Sequence, residues 1–280
     1  QGQAESAVIM RITQAAILVL IASTADAQSP DSVRVLLENA RVQSASGHAP
    51  AALDLLRRAR MQAPNSEDVL SAYGQVALAA RLPVQAIDVL DPLTRMCPGV
   101  ADYHYLLGIA YLQVGGLEQA VLALREADRL DPNRVTTLAA LGLALNSRKL
   151  HADAEPFLRR ALASEPGNAD VLAALAETEE ALGDPAQAEA HAARALARVP
   201  DHAAAHFVIG LLRMKQARYG DARDALLRAI AAQPDLARAH YQASLAFARL
   251  GDEASAARHV ELYQEKLREM EAALKKVRGR

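Results

Sequence analysis

Hydrophobic and polar positions alternate with a helical period along most of the chain. Between residues 33 and 270, apolar residues recur at steps of three and four, which is the spacing of one face of an α-helix. Polar or glycine-containing breaks divide the pattern into pairs of predicted amphipathic helices. One pair spans residues 101–134: its first helix carries Leu107, its second carries Leu124, and Gly115 lies in the turn between them. The pattern predicts an all-α protein.

Prolines mark the ends of these pairs at a constant spacing. Seven of the twelve prolines are 34 residues apart: Pro30, Pro64, Pro98, Pro132, Pro166, Pro200 and Pro234. Because proline lacks the backbone donor that a continuing helix needs, each one predicts the end of a unit. The chain therefore divides into seven blocks: 33–66, 67–100, 101–134, 135–168, 169–202, 203–236 and 237–270. Among the remaining prolines only Pro92 is expected deep inside a helix, where it predicts a kink or an early break near Asp91.

The block at 101–134 resembles the tetratricopeptide repeat. The residues that carry the resemblance are Leu107, Gly108, Tyr111, Ala120, Leu124, Ala127 and Pro132, and six of the seven blocks have most of this signature. The resemblance implies a right-handed superhelical solenoid of about seven helix-turn-helix repeats, whose first helices line a concave groove. We expect glycine or another small residue at the eighth place of each block to let its two helices cross closely. Since such repeats serve many unrelated adaptors, the resemblance is specific for fold and not for function.

The start of the chain is similar to a secretory signal peptide. Arg11 precedes eight uninterrupted apolar residues, and a small-residue cleavage pattern ends at Ala27. We expect residues 1–27 to be upstream sequence plus a signal peptide that starts near Met10, and residues 28–32 to be a short linker. The apolar run is much shorter than the roughly 20 residues of a spanning helix, so no stable membrane span is expected after cleavage. These features predict export to the periplasm or cell envelope of a bacterium.

A further apolar stripe runs along the last predicted helix. Its members recur at steps of three and four: Val260, Tyr263, Leu267, Met270, Leu274 and Val277. No proline stops this helix, so we expect it to extend to about residue 277, with residues 271–280 forming its end. The stripe would either fold back and cap the last repeat or pair with another chain, which leaves a monomer or a weak homodimer through this helix.

Composition and charge exclude several functions. With 31 basic and 33 acidic residues, the chain lacks the positive field of a nucleic-acid-binding protein. Alanine accounts for 62 of the 280 residues, which favours closely packed helices. The single cysteine, Cys97, cannot form an intrachain disulfide or a cysteine zinc site.

Motifs for catalysis are absent from the sequence. There is no phosphate-binding glycine loop, no HExxH and no GxSxG. His202 and His206 are four residues apart, but His206 shares its repeat position with His104 and His240, which favours a structural role. We predict no catalytic residues, no metal site and no cofactor, and we do not expect an enzyme.

The resemblance places the binding surface at the second, fifth, ninth and twelfth residue of each block. In three blocks these places are apolar: Tyr105, Ile109 and Leu112; Phe207, Leu211 and Met214; Tyr241 and Leu245. Glu177 and Glu180 lie between these patches. We expect the groove to bind an amphipathic peptide or helix with apolar anchors and with basic residues opposite the two glutamates. Alternatively, tight coiling or the terminal helix buries these side chains.

The sequence therefore predicts a non-enzymatic scaffold or adaptor that mediates protein–protein interactions in the periplasm or cell envelope. Its partner would be a protein or peptide and not a nucleic acid. Two alternatives remain open: an accessory subunit of a separate envelope protease or glycosyltransferase, and a carrier of a glycan or another small ligand.

Overall fold

The computed structural model describes residues 32–279. The predicted upstream residues and signal peptide (1–27), and all of the linker except Ser32, lie outside the described residues. Within residues 32–279 the chain forms fourteen α-helices and no β-strand: α1 (Val33–Ala45), α2 (Ala49–Gln62), α3 (Glu67–Ala79), α4 (Pro83–Met96), α5 (Ala101–Val114), α6 (Leu117–Leu130), α7 (Val135–Ser147), α8 (His151–Ser164), α9 (Ala169–Leu182), α10 (Pro185–Arg198), α11 (Ala203–Lys215), α12 (Tyr219–Ala232), α13 (Ala237–Arg249) and α14 (Glu253–Arg278). The predicted all-α fold class is confirmed.

The helices pack as consecutive pairs. The odd-numbered helices are the first helices of the blocks, and their starting residues are 34 apart along the chain. From α5 onward, each first helix packs against the second helix of its own block, and each second helix packs against the first helix of the next block. This is the arrangement of a helical-repeat solenoid, in which each unit contacts mainly its neighbours. None of the helices within residues 32–279 combines the length and the hydropathy of a membrane-spanning segment.

Glycine at the eighth place of a block allows the two helices of that block to touch. A Cβ atom built on Gly142 would lie 2.4 Å from Cδ2 of Leu158, and one built on Gly108 would lie 2.6 Å from Cγ of Leu124. Both distances are far below an ordinary carbon–carbon contact, so a larger residue would push the helices apart. The predicted close crossing at these places is confirmed.

The turn inside each block also repeats. One residue in each turn has a left-handed backbone: Gly47, Arg81, Gly115, Lys149, Gly183, Ala217 and Gly251, with φ between 56° and 89°. Glycine adopts this conformation freely, whereas a side chain with a Cβ adopts it at a cost. The left-handed residue reverses the chain so that the second helix packs back on the first.

Pro92 does not end its helix. It lies inside α4, which continues from Pro83 to Met96, so the early break predicted near Asp91 is wrong, whereas the kink stays a prediction. Pro156 also lies inside a helix, α8, which the sequence reasoning did not anticipate. Proline removes one backbone hydrogen bond, but the fully buried Leu90 and Leu93 on either side of Pro92 hold this segment of α4 in place by packing.

Within the described residues the chain divides into two compact units, residues 32–93 and 94–279. In the first unit Leu36, Ala59 and Val69 form a buried cluster. The second unit contains several clusters in series, each shared by neighbouring blocks.

The second unit is curved, with its first helices on the inner side. Within residues 94–279 the first helices α5, α7, α9, α11 and α13 each contact the next one in the series, whereas the second helices α6, α8, α10 and α12 do not contact one another. An array whose elements touch on one side and separate on the other bends toward the touching side. We call the surface of these five first helices the inner face.

Candidate functional site

The ninth place of each block forms a row across the inner face. The ninth-position row consists of Ile109, Leu143, Glu177, Leu211 and Leu245. Leu143 is 40% exposed and Leu245 is 38% exposed, while Ile109 and Leu211 are half-buried. Leu143 was not among the predicted site residues, although its apolar character at a ninth place was a signal in the sequence. Four of the five members are thus aliphatic.

The predicted residues of the third block form an apolar patch at one end of this row. Tyr105, Ile109 and Leu112 are half-buried and pack against the core cluster that includes Leu141 of the next block. The guanidinium carbon of Arg134 lies 5.0 Å from the centre of the Tyr105 ring. A cation over an aromatic face is attracted by the electrons of the ring, so Arg134 holds this side chain in position.

The predicted residues of the sixth block are less accessible. Phe207 is only 3% exposed, and the guanidinium carbon of Arg238 lies 4.8 Å from the centre of its ring. Leu211 and Met214 are half-buried and pack against the same core cluster as Phe207. Phe207 is therefore part of the core beneath the inner face, and the surface above it is the arginine.

The last block offers the most exposed of the predicted residues. Tyr241 is 44% exposed, and its ring centre lies 5.3 Å from that of Tyr263 on α14. Leu245 lies one turn further along α13. The apolar surface at this end of the row is thus continuous with the terminal helix.

The two predicted glutamates already have cationic partners within the chain. Glu177 is 6% exposed and forms a two-pronged ion pair with Arg238, in which Nη2 lies 3.2 Å from Oε2. Lys215 places its ammonium 2.6 Å from a carboxylate oxygen of Glu180 and also donates to the Glu180 carbonyl oxygen. The predicted pairing of Glu177 and Glu180 with basic residues of a partner loses its basis, because a buried carboxylate is stabilised by the cation that it already contacts.

Arg238 lies two blocks beyond Glu177 in the sequence. It extends from α13 past α11 to reach α9. Such a contact is possible on the inner face, because the bend brings together first helices that are two blocks apart, such as α9 and α13. The sequence shows the opposite charges of Arg238 and Glu177 at groove positions two blocks apart. It does not show the curvature that brings these two side chains into contact.

The histidines singled out from the sequence have structural partners. His104, His206 and His240 each place Nε2 within 3.1 Å of a proline carbonyl oxygen six residues earlier in the chain. His202 accepts a hydrogen bond from the Ala205 backbone and so caps the start of α11. Its other nitrogen lies 3.0 Å from Asp170, and this hydrogen bond lowers the pKa of the Asp170 carboxyl group.

A separate cleft lies between α10, α11 and α12. It has a volume of about 420 Å³, and five of its ten lining residues are charged: Glu189, Arg213, Asp221, Asp224 and Arg228. Arg213 lies 2.6 Å from Glu189 across this cleft, and the ion pair lowers the pKa of the glutamate. Among residues 32–279 no group of three or more His, Cys, Asp or Glu side chains is arranged to hold a metal ion.

These observations define the class of the protein: a helical-repeat protein whose inner face carries a row of apolar side chains. Solved structures share this fold. A tetratricopeptide repeat protein from Parabacteroides merdae ATCC 43184 is 13% identical with a TM-score of 0.68, and the match covers 88% of this chain and 97% of that protein. TTC0263, a thermophilic TPR protein of Thermus thermophilus, is 26% identical with a TM-score of 0.50, and the match covers 70% of this chain and 99% of TTC0263. Human IFIT1, solved as a dimer with PPP-AAAA, is 18% identical with a TM-score of 0.60, and the match covers 80% of this chain and 58% of IFIT1.

The sequence itself matches the tetratricopeptide repeat family over residues 105–169, 147–212 and 207–269. Together these stretches cover more than half of the chain, and the protein therefore belongs to the tetratricopeptide repeat family. A comparison with curated protein sequences gave no significant match. Membership supports a role as a protein–protein interaction scaffold, which is the role that tetratricopeptide repeat proteins typically have.

Proposed function

We propose that this protein is a non-enzymatic scaffold that binds a peptide or helix of a partner protein along the ninth-position row. The observation that carries the proposal is the exposure of Leu143 and Leu245 on the inner face, each next to one half-buried aliphatic residue of the row, Ile109 and Leu211 respectively. Exposed apolar side chains aligned on one curved face are a surface that a partner can cover favourably, because burial removes them from water.

The charge of the row favours an apolar seam on the partner. Glu177, in the middle of the row, is neutralised by Arg238 and is almost fully buried. A partner that follows the row therefore meets two aliphatic residues, a neutralised ion pair and two further aliphatic residues. Basic residues on the partner are not required for binding at this point.

The spacing of the row suggests how a helical partner would match it. Packed helices lie about 8–10 Å apart, so successive members of the row are separated by a similar distance. A helix rises about 1.5 Å per residue, so anchors about five to seven residues apart would keep pace with the row, and a seven-residue repeat lies at the upper end of this range. We therefore favour an amphipathic helix with an apolar heptad seam as the partner.

The location and the alternatives rest on the sequence. The signal-like residues 1–27 support placing the scaffold in a bacterial periplasm or cell envelope. An accessory subunit of an envelope enzyme would use the same row for its catalytic partner. A glycan or small-ligand carrier would instead use the charged cleft beside Arg213, which gives that alternative a distinct location.

The test is capture of partners from an envelope extract by the full chain and by two variants. Leu143→Glu combined with Leu245→Glu changes two exposed leucines of the row, so the fold is expected to persist. Leu122→Glu is the matched control, because Leu122 is 65% exposed on the second helix α6. All three proteins are first compared by circular dichroism and thermal unfolding.

We expect a protein that the parent and Leu122→Glu both capture to be lost with the double variant. The buried Phe207 is left unchanged, because its substitution would report on folding. Capture that is equal for all three proteins would show that the row is not the binding surface and would overturn the proposal.

A further inference from the structure

The terminal helix α14 reaches far beyond the block to which it belongs. Its first half packs on α13, where His259 stacks on Phe247 with ring centres 5.4 Å apart. Its second half then contacts α5, the first helix of the third block. The helix thus bridges two first helices that are four blocks apart. Because the second unit bends toward its inner face, this distance is short enough for one helix to span.

The far end of α14 is seated on the turn between α5 and α6. The Met270 methyl carbon lies 2.7 Å from the place that a Cβ on Gly115 would occupy. A Leu274 methyl carbon lies 3.5 Å from the corresponding place at Gly116, beside the Tyr111 ring. Two bulky side chains four residues apart on one face of α14 therefore fill the space above two adjacent glycines. We call Tyr111, Gly115 and Gly116 the third-block seat.

The seat is specific to this block. The residue that follows the left-handed turn position is Gly116 here, whereas the next block has Leu150 at the equivalent place. Leu150 belongs to its own turn, so that turn carries an aliphatic side chain where the third block has none. In the third block, Leu274 of α14 supplies the aliphatic side chain that Gly116 lacks. The glycine pair and the leucine of α14 are thus complementary in shape.

The contact between the far end of α14 and the third-block seat is small. From residue 267 to residue 277 most side chains of α14 are exposed, and among these residues only Ala273, Leu274 and Val277 are half-buried. Met270 remains 38% exposed even though its methyl group reaches the seat. A helix held at its far end by two side chains can leave the seat without unfolding the blocks, since the first half of α14 stays packed on α13.

We propose that the third-block seat is a docking site for an amphipathic helix with two bulky aliphatic side chains four residues apart, and that α14 occupies it until such a partner helix displaces it. The inference rests on the proposed function, because it names the partner segment and the way in which access to the inner face is regulated. The chemistry of the partner helix is inferred from the chain's own segment that fills the seat. Its Met270–Leu274 pair shows the spacing and side-chain size that the seat accepts.

The experiment uses a fluorescent peptide with the sequence of residues 264–279 and measures its anisotropy with the full chain. In the parent protein the tethered segment competes with the peptide at an effective concentration of the order of millimolar. Leu274→Asp weakens this tethered competitor by placing a charge on the seat. We expect this variant to bind the peptide about tenfold more tightly than the parent, as expected for a peptide affinity near 0.1 mM.

Leu267→Asp is the matched control, because Leu267 lies two turns earlier on the same helix and is exposed. It should bind the peptide as weakly as the parent does. A peptide that itself carries Leu274→Asp should bind none of the proteins. Equal binding of the unmodified peptide to the parent, to Leu274→Asp and to Leu267→Asp would overturn the proposal.

A second variant tests the seat directly. Gly116 has φ of −78°, which a side chain can adopt, so Gly116→Leu fills the seat without backbone strain. Added to Leu274→Asp, it should abolish peptide binding, and unchanged binding would overturn the proposal. A parent protein that is a dimer and dissociates on addition of peptide would also overturn it, because the occupant would then be a second copy. If peptide binding fails while partner capture still depends on Leu143 and Leu245, only this inference falls and the proposed function stands.

Discussion

The close crossing of α7 and α8 makes a quantitative prediction about Gly142 and Leu158. Leu158 is fully buried, and its side-chain carbons lie within 3.0 Å of the place that a Cβ on Gly142 would occupy. The block at 169–202 solves the same packing problem differently, with Ala176 and Ala192 both fully buried at the two equivalent places. Replacing the glycine–leucine pair by two alanines should therefore be tolerated by the fold only when Gly142 and Leu158 are changed together.

The expected energies follow from the two effects. Leu158→Ala should lower the free energy of unfolding by about 2–5 kcal/mol, because it removes buried methyl groups and leaves a cavity. At an unobstructed helix position Gly142→Ala would raise stability by about 1 kcal/mol. Here overpacking should cost about 1–3 kcal/mol, so the single variant should be neutral or less stable. In the double variant the clash is absent, so the loss should be smaller than the sum of the single losses by about 1–3 kcal/mol.

The assay is urea unfolding followed by circular dichroism, with hydrogen exchange of α7 and α8 as a local measure. Hydrogen exchange is needed because a repeat array can unfold in parts. Ala176→Gly is the control, since it loses about 1 kcal/mol of helix propensity and about 1 kcal/mol from the removal of a buried methyl group, and it relieves no clash. Additive effects of Gly142→Ala and Leu158→Ala, or a stabilising effect of Gly142→Ala alone, would show that the two side chains do not clash.

Two further predictions concern the turns and the terminal helix. Ala217→Gly should raise the free energy of unfolding by up to about 1 kcal/mol, because Ala217 has φ of 58°; a lower urea midpoint for this variant would contradict the argument. Burial, together with the charges of His240 and Arg258, lowers the pKa of His259 below its ordinary value, so the folded state favours the neutral ring. This contribution to stability is present above the unfolded pKa of about 6.5 and is lost as the pH falls through the lower folded pKa. Unfolding measured from pH 7.5 to 5 should therefore show a steeper loss for the parent than for His259→Gln, and parallel curves would count against a depressed pKa.

The inner face shows where sequence reasoning about the site was incomplete. Tyr241 and Leu245 were predicted as groove residues and are exposed there, while their role in binding stays a prediction. Phe207 was chosen by the same rule of position, yet it is buried beneath Arg238. The rule assigns a place on a helix, whereas the neighbouring blocks decide whether that place is open to solvent.

The repeating units of this protein could be predicted from its amino-acid order alone. The 34-residue spacing of prolines, the small residues at the eighth place and the apolar periodicity predicted the helix pairs and their close crossing. These features could be predicted because a helix, its turn and its pairing depend on residues within one block, where local geometry sets the contacts. Pro92 is the exception, since packing kept its helix intact.

The contacts between residues in distant blocks became apparent only from the packing of the second unit. Arg238 pairs with Glu177 across two blocks, and Leu274 reaches Gly116 across four. Both contacts depend on the curvature of the second unit, which is the sum of a small rotation at every interface between blocks. Each rotation is set by the packing of many side chains at once, so no single motif encodes it. The accumulated bend brings α14 onto the turn between α5 and α6.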